Sequence, residues 1–271
     1  MSRDQTFDLQ AHSTYSDGSL PPREVVRRAA RAGVQLLALT DHDTVDGVSE
    51  AGDAAREHSI AVTPAVELSS VGAGREDLHI LGYAIDHADP ALQDALRDFR
   101  ADRVRRIHEM ADRLRDEGFT IPPIDHESPG RPHLAEALAP QLPELDRDAI
   151  FSAYLVPGTP TYVARQRPTV ADAIGVIHAA GGVAVWAHPF WDLDTPELDE
   201  FPGLDGVEVF YPTYTEAQTR ALYAAATSRG LLTTGSSDFH GPEHERFNRF
   251  LAFETYGLAP ELGRAGSRSG P

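Results

Sequence analysis

The sequence predicts an α/β protein in which a mainly parallel sheet or barrel is covered by helices. Apolar runs of strand length alternate with amphipathic stretches of helix length in both halves of the chain. Several of these runs end abruptly in His, Asp or Glu, as VQLLALTDHDT does at residues 34–44. The 271 residues are also enough for one large domain with a substantial hydrophobic core.

The first strand lies in FDLQAHSTYSD, from Phe7 to Asp17. Apolar and polar residues alternate there, which predicts a strand that packs one face and presents Gln10 and His12 on the other. The following elements are predicted in the order helix Leu20–Gly33, strand 34–44, helix Val45–His58, strand Ile60–Leu68 and strand Leu78–Ile85. The continuous apolar run that opens strand 34–44 is typical of a buried parallel strand.

A helical insertion interrupts this alternation at residues 90–167. It begins with a long Arg- and Asp-rich helix, Ala91–Gly118, and continues with shorter helices at His133–Ala139 and Arg147–Tyr154. The alternation then resumes with helix Thr169–Ala180, strand Val183–Ala187, strand Gly206–Phe210, helix Thr215–Arg229, strand Leu231–Gly235 and a last strand near Arg249–Glu254. The predicted division is therefore a barrel of residues 1–89 and 168–258, an insertion of residues 90–167, and a tail of residues 259–271 in which Gly263–Pro271 is expected to be mobile.

The composition excludes several classes of protein. The chain has no cysteine, which removes disulfides, thiolate nucleophiles, Fe–S clusters and Cys-type zinc sites. All 24 basic residues are Arg, so a Lys Schiff base and a P-loop are excluded, and the net charge of −18 argues against an extended nucleic-acid-binding face. No apolar run could span a bilayer and the N-terminus lacks a signal pattern, so we expect no membrane partner and a cytoplasmic location. No feature of the sequence specifies an oligomeric state.

Side chains that can bind metal recur at the ends of the predicted strands. They are His12, Asp17, His42, Glu67, His79, His188, Asp238 and His240. In a parallel α/β barrel the carboxyl ends of the strands face one common mouth, so residues far apart in the sequence converge there. A site of nitrogen and oxygen ligands without sulfur suits Mn²⁺, Fe²⁺ or Zn²⁺. Two or three such ions would outweigh the three carboxylates, attract phosphate and activate water near neutral pH.

The other histidines lack this context at strand ends. We expect them at the surface or in ordinary packing, and they are His58, His87, His108, His126, His178 and His244. Asp41 and Asp43 flank His42 and are candidates for orienting imidazole ligands.

The motifs DLQAHSTYSDG, LLALTDHDT, AVELS, DLHILGY, AVWAHPF and GSSDFHG resemble those of the polymerase and histidinol phosphatase (PHP) superfamily of metal-dependent phosphoesterases. The resemblance extends through the insertion, with GRPHLAEAL and YLVPGTPTYV. Within the superfamily the chain is most similar to stand-alone enzymes that hydrolyse 3′,5′-bisphosphonucleotides and, in some cases, short RNA from the 5′ end. The resemblance implies a distorted (β/α)7 barrel with a helical insertion that contributes to substrate binding.

The resemblance also implies roles for individual residues. The first metal would be held by His12, Glu67 and Asp238 with Gln10 beside them, the second by Asp17, His42 and His240, and the third by Glu67, His79 and His188. His12, Asp17, His42, Glu67, His188, Asp238 and His240 would be catalytic through a hydroxide activated by two or three divalent ions, with Mn²⁺ expected before Fe²⁺ or Zn²⁺. Arg131 and His133 of the GRPH motif would bind the substrate phosphate.

Two positions depart from the family pattern. Gln10 stands where the family has a further His, and because an amide oxygen is a poorer ligand than imidazole, the first metal is expected to bind weakly. Thr159 stands where relatives often carry Lys, with Arg165 or Arg167 as candidate replacements for that charge.

The sequence therefore favours a metal-dependent phosphoesterase that acts on a small nucleotide. Two alternatives stay open. One is a phosphatase for another small phosphomonoester, such as histidinol phosphate, against which the insertion with GRPH argues. The other is a degenerate metal-binding module without activity, which only Gln10 suggests.

Overall fold

Seven strands lie side by side in chain order in the computed structural model, which describes residues 6–126, 128–191 and 196–267. The strands are β1 (Phe7–Asp8), β2 (Leu36–Leu39), β3 (Ala61–Gly72), β4 (Arg75–Tyr83), β5 (Val183–Trp186), β6 (Gly206–Phe210) and β7 (Leu232–Gly235). The helices are α1 (Pro22–Arg31), α2 (Val48–His58), α3 (Pro90–Asp116), α4 (Arg131–Leu138), α5 (Arg147–Ile150), α6 (Val170–Ala179) and α7 (Glu216–Ser228). Short 3₁₀ or π turns occupy Ala139–Gln141, Phe151–Leu155, Pro189–Trp191 and Gly263–Gly266. The predicted seven-stranded α/β barrel is confirmed.

The sheet is parallel except at β4, which runs antiparallel to both of its neighbours, β3 and β5. β3 and β4 form a hairpin whose turn contains Ala73 and Gly74, with φ of 50° and 72°. Since β4 returns from this turn, it begins at Arg75 rather than at Leu78. The first half of β4, including His79, consequently lies at the end of the barrel where the parallel strands finish.

The first and last strands close the sheet into a distorted barrel. The Leu9 N–H donates to the Gly235 carbonyl at 3.2 Å, and the His12 N–H donates to the Phe239 carbonyl at 2.8 Å. The ends of β1 and β7 thereby meet, while the Thr233 N–H of β7 donates to the Glu261 carbonyl at 2.8 Å. The strand predicted near Arg249–Glu254 is wrong, because Glu261 and not this segment pairs with β7. That segment instead covers the closure, where Phe250 stacks on Phe239 with ring centroids 4.2 Å apart.

Helices cover the outside of the barrel at the positions expected from the sequence. Val25, Val26 and Ala29 of α1 are fully buried in a cluster shared with α2 and β2, which explains the apolar stripe of α1. α6 begins at a capping box in which Thr169 and Asp172 exchange hydrogen bonds with each other's backbone N–H. None of the helices in the described ranges is long and apolar enough to cross a membrane.

The long helix α3 belongs to two cores. Its first half contributes Leu92, Leu96 and Phe99 to the main core around the barrel. Its second half, with residues such as Met110 and Leu114, builds a separate core with α4, α5 and the π turn that follows α5. The insertion is consequently continuous with the barrel through an uninterrupted helix.

The C-terminal segment differs from the mobile tail expected for Gly263–Pro271, of which residues 268–271 lie outside the described ranges. Leu262 and Ala265 are buried against the barrel. The Thr63 hydroxyl lies 3.2 Å from the Ala265 carbonyl and 2.7 Å from the Ser267 carbonyl, at hydrogen-bonding distance to both. Buried apolar contacts and these bonds order the segment up to residue 267.

A buried arginine joins the insertion to the barrel. Arg103 of α3 is 5% exposed, and its Nε donates to the Asp43 carboxylate at 2.7 Å while its NH2 donates to Ser69 Oγ at 2.5 Å. Asp43 in turn accepts the Ser69 N–H at 3.1 Å, so three segments share one polar contact.

We expect Arg103→Ala to lower the free energy of unfolding by about 3–5 kcal/mol, because it leaves the Asp43 carboxylate buried with its main cation removed. Urea unfolding followed by circular dichroism measures this. The matched control is Arg105→Ala on the same helix, where an exposed Arg pairs with Asp102 and Glu109 and the change should cost less than about 1 kcal/mol. Equal losses in the two variants would contradict the assigned role of Arg103.

Candidate metal centre

The side chains predicted as metal ligands converge at one end of the barrel. They follow β1 (His12, Asp17), β2 (His42), β5 (His188) and β7 (Asp238, His240), or lie within β3 (Glu67) and β4 (His79). Most are buried, and Glu67 is 1% exposed. The parallel strands direct their following residues to this mouth, and the reversal of β4 adds His79.

Two groups of ligand atoms flank His12. On one side its Nε2 lies 3.0 Å from Glu67 Oε2 and 3.2 Å from Asp238 Oδ1. On the other side its Nδ1 lies 3.6 Å from Asp17 Oδ1. Asp17 also approaches His42 Nε2 at 3.7 Å and His240 Nε2 at 3.4 Å. The two sets correspond to the residues expected for the first and second metals.

A third group is centred on the other oxygen of Glu67. Oε1 lies 2.7 Å from His79 Nδ1 and 3.3 Å from His188 Nε2, and these two nitrogens are themselves 3.3 Å apart. Ligand atoms of His42, Glu67 and His79 also lie within 4.8 Å of one another. Either His42 or His188 can therefore complete a three-ligand set with Glu67 and His79. The assignment of His188 to the third metal stays a prediction.

The cluster is electrostatically arranged for cations. Burial raises the pKa of Asp17, Glu67 and Asp238, but the surrounding histidines lower it more, so the pKa of each carboxyl lies below its ordinary value. Burial opposes the charging of His12, yet Asp238 and Glu67 raise the pKa of His12 well above normal. Burial lowers the pKa of His42 to about 3, which keeps this imidazole neutral and able to bind a metal. Three negative charges therefore face the mouth at neutral pH.

The spacing and bonding of these atoms fit divalent ions. Two ligand atoms that each lie about 2.1 Å from one ion are separated by about 3.0–3.4 Å in octahedral or tetrahedral geometry. Most separations in the cluster fall in or near that range. Among the described residues, His12 Nε2, Asp17 Oδ1 and Asp238 Oδ1 are buried without a hydrogen bond, although each has an opposite-type atom close by. Buried polar atoms that converge on a point without bonding one another are what metal ligands require.

Gln10 is fully buried beside Glu67 and acts as a hydrogen-bond donor. Its Nε2 donates to Glu67 Oε2 at 3.0 Å, and its Oε1 lies 3.3 Å from the Ser236 hydroxyl. The amide oxygen, the atom that could bind a metal, is thus occupied by Ser236. In this arrangement Gln10 contacts the candidate ligand Glu67, and its own role as a ligand stays a prediction.

Asp41 and Asp43 support the site indirectly. Asp41 accepts hydrogen bonds from the Ser13 N–H at 2.7 Å and from the Ser16 hydroxyl at 2.6 Å, and Ser16 Oγ lies 3.4 Å from His12 Nδ1. Asp41 therefore shapes the loop between His12 and Asp17. Asp43 binds Arg103 instead of an imidazole, so it ties the residue after His42 to the insertion.

Two residues that contact the candidate ligands, Tyr211 and Glu208, were not predicted from the sequence. The Tyr211 hydroxyl donates to Asp238 Oδ2 at 2.7 Å, which orients the carboxylate. Glu208 accepts the His188 N–H at 2.9 Å and contacts Ser236 Oγ at 2.5 Å, and burial raises the pKa of Glu208 to about 8. A carboxylate inside the apolar strand GVEVF was the signal that could have identified Glu208.

The GRPH motif lies at the start of α4, next to the loop that carries Asp17. His133 Nδ1 lies 3.0 Å from the Gly130 nitrogen and 3.3 Å from the Gly130 carbonyl oxygen, so the Gly130 backbone holds the ring in place. Burial lowers the pKa of His133 despite the opposing influence of the nearby Asp17. His126, expected in ordinary packing, lies over His133 with ring centroids 4.7 Å apart. Arg131 donates to the Leu155 carbonyl at 3.1 Å.

Arg165 and Arg167 are the candidate replacements for the Lys that relatives often carry at the position of Thr159, and both contact carboxylates outside the candidate metal centre. The Thr159 hydroxyl lies 3.0 Å from the carbonyls of Tyr154 and Val156 and carries no charge. Arg165 is buried 3.7 Å from Asp43, and Arg167 is exposed 3.9 Å from Asp172. These contacts engage both arginines with carboxylates outside the ligand cluster.

Comparison with known proteins identifies relatives over most of the chain. Residues 8–180 match the family model of the PHP domain. The chain is 36% identical over 250 residues to a 3′,5′-nucleoside bisphosphate phosphatase from Chromobacterium violaceum, with 87% of each chain covered. It is 35% identical to a 5′-3′ exoribonuclease from Haemophilus influenzae, covering 87% of this chain and 90% of the relative.

Solved structures agree with this likeness. A chain from Chromobacterium violaceum described as an amidohydrolase with bound sulfate superposes with a TM-score of 0.82 at 35% identity, covering 90% of both chains. A chain from Bifidobacterium adolescentis assigned as a metal-dependent phosphoesterase superposes with a TM-score of 0.80 at 28% identity, again over 90% of both.

We expect the chain as purified to hold nearer two ions than three, and Gln10→His to raise the metal content, because imidazole binds these ions better than an amide does. Metal analysis of the purified proteins after dialysis measures ions per chain. Gln141→His, at an exposed position in the insertion, is the control for an added surface imidazole. Three fully occupied ions in the unaltered chain would contradict the expected weak site.

Proposed function

The chain belongs to the PHP-domain family, and on that basis we propose that it is a metal-dependent phosphoesterase that hydrolyses a phosphate ester of a small nucleotide. The observation that carries the proposal is the largely buried group of three carboxylates and five imidazoles at the barrel mouth, whose atoms have the spacing of metal ligands. The 3′,5′-bisphosphonucleotide class is favoured because the relative with that activity matches both the barrel and the insertion.

The donor set suits two or three divalent ions, with Mn²⁺ favoured over Fe²⁺ and Zn²⁺. Ions bound there would supply Lewis-acid polarisation of a phosphoryl oxygen and make water a stronger nucleophile near neutral pH. His12, Asp17, His42, Glu67, His79, His188, Asp238 and His240 would hold them. Two divalent ions against three ionised carboxylates give the mouth a net positive charge of about one, enough to attract a phosphate to an otherwise acidic protein.

The residues of this chain bind and orient the phosphate. The Gly130 backbone holds His133 through Nδ1, and we assign the other ring nitrogen, Nε2, to a hydrogen bond with a phosphoryl oxygen. Arg131, two residues before His133 on α4, adds a permanent positive charge. The anchoring of α3 by Arg103 fixes the insertion that carries both residues relative to the barrel.

A direct test combines metal analysis with substrate comparison. Purified protein supplemented with Mn²⁺ is assayed for phosphate release from adenosine 3′,5′-bisphosphate, adenosine monophosphate, histidinol phosphate and a short RNA with a 5′ phosphate. The proposal expects the bisphosphate to give the highest kcat/KM. A preference for histidinol phosphate would show that the substrate is a phosphomonoester other than a nucleotide. Absence of hydrolysis with every metal would indicate a degenerate metal-binding module without activity.

His42→Ala and Asp238→Ala should each lower kcat by several orders of magnitude at saturating Mn²⁺, because each change removes a ligand and not a packing group of the core. Steady-state kinetics measures kcat, and circular dichroism verifies that the barrel stays folded. His58→Ala, on the outer end of α2, is the matched control. Near-normal activity in either ligand variant would refute the assigned centre.

Arg131→Ala should lower kcat/KM about tenfold to a hundredfold, since a charge-assisted contact to phosphate contributes about 1.5–3 kcal/mol. Metal content should not change, because an arginine does not bind these ions. Kinetics and metal analysis on the same preparation separate the two effects. Loss of metal from this variant would argue against its role in phosphate binding.

A further inference from the structure

His244 receives more hydrogen-bond donors than an imidazole can accept. Its Nδ1 faces the backbone N–H groups of Arg246 at 3.2 Å and Phe247 at 3.0 Å. Its Nε2 faces the Arg147 guanidinium, with NH1 2.7 Å away. A neutral imidazole has a single acceptor nitrogen. Because two N–H groups already occupy Nδ1, the ring proton resides on Nε2, and two donors meet between His244 and Arg147.

Two donors this close need a common acceptor. Neither Nε2–H nor the guanidinium can accept a hydrogen bond from the other, so the contact becomes favourable when an anion accepts from both. A phosphate offers several acceptor oxygens and matches the planar fork of arginine. The sequence had assigned His244 to ordinary packing, since nothing in GPEHERF reveals that Arg147 meets it from the insertion.

The charge of Arg147 is not neutralised within the described part of the chain, where it forms no ion pair with a carboxylate. Its two acidic neighbours have other partners. Asp146 caps α5 by accepting the Ala149 N–H at 2.8 Å, and Asp148 pairs with Arg246. The exposed arginines of α3 and α7, in contrast, pair with carboxylates one turn away. In a chain of net charge −18, a half-buried arginine without a carboxylate is an unusual local excess of positive charge.

This pair lies beside the metal centre. The His244 and His240 rings are 5.2 Å apart between centroids, and His240 Nε2 is 3.4 Å from Asp17. On the far side, the guanidinium carbons of Arg147 and Arg131 both lie 5.7 Å from the ring of Phe151. His244 thus connects Arg147 to the metal centre, and Phe151 connects it to Arg131.

We infer that Arg147 and His244 form a subsite for the second, non-reacting phosphate of a bisphosphorylated nucleotide. The inference rests on the proposed function, in which the reacting phosphate occupies the metal mouth. A ribose that carries two phosphates can place one on the metals and the other on this neighbouring donor pair. Substrates with one phosphate would lack this contact, so the subsite gives selectivity for bisphosphates.

The test compares substrates with two and one phosphates. For the metal-loaded full chain and Arg147→Gln, kcat/KM is measured with adenosine 3′,5′-bisphosphate and with adenosine 3′-monophosphate, using the inhibition constant of the monophosphate if it is not turned over. We expect the preference for the bisphosphate to fall about tenfold to a hundredfold, mainly through KM. Arg147→Lys should be intermediate, since it keeps the charge and loses the fork.

Arg105→Gln removes the same charge from the exposed face of the insertion and should leave the preference within twofold. An unchanged preference in Arg147→Gln would overturn the subsite while the proposed function stood. If the unaltered chain hydrolyses neither nucleotide, the proposed function fails, and calorimetric binding of the intact bisphosphate decides the subsite. Equal affinity for the unaltered chain and Arg147→Gln would then refute it, and a tenfold weaker affinity in the variant alone would support it.

Discussion

The buried carboxylate of Glu67 connects more of the mouth than any other side chain described above. One oxygen approaches His12 and Gln10, each at 3.0 Å, and the other approaches His79 at 2.7 Å and His188 at 3.3 Å. These partners come from three other strands or their ends. A carboxylate this deeply buried persists only with such partners, so strand register, the reversal of β4 and the ligand geometry depend on one another.

Much of the site could be predicted because its residues follow or lie within strands, where a polar residue after an apolar run is conspicuous. His12, His42 and Asp238 were recognised in this way. The direction of β4 was not visible, since His79 reads equally well at the start of a parallel strand. The absence of a strand at Arg249–Glu254 depends on the pairing of Glu261 with β7, and a contact between such distant segments leaves no local signal in the sequence.

The residues that were not predicted from the sequence depend on contacts between distant segments. Glu208 and Tyr211 act through hydrogen bonds to His188 and Asp238, and such partners are set by three-dimensional proximity. Arg147 and His244 are separated by nearly a hundred positions and belong to segments that the sequence treats as separate, an exposed short helix and a loop. Only the packing of the insertion over the loop after β7 brings them together.

The division of α3 between two cores has a consequence for how this architecture can be shortened or recombined. A deletion of residues 90–167 as a cassette would remove Leu92, Leu96 and Phe99, and with them part of the wall that shields the barrel from water. A graft of the insertion onto another barrel would succeed only if the junction fell after Phe99, so that the host supplied the first turns of the helix. The boundary between the core of the barrel and the core of the insertion therefore lies inside a helix and not at its beginning.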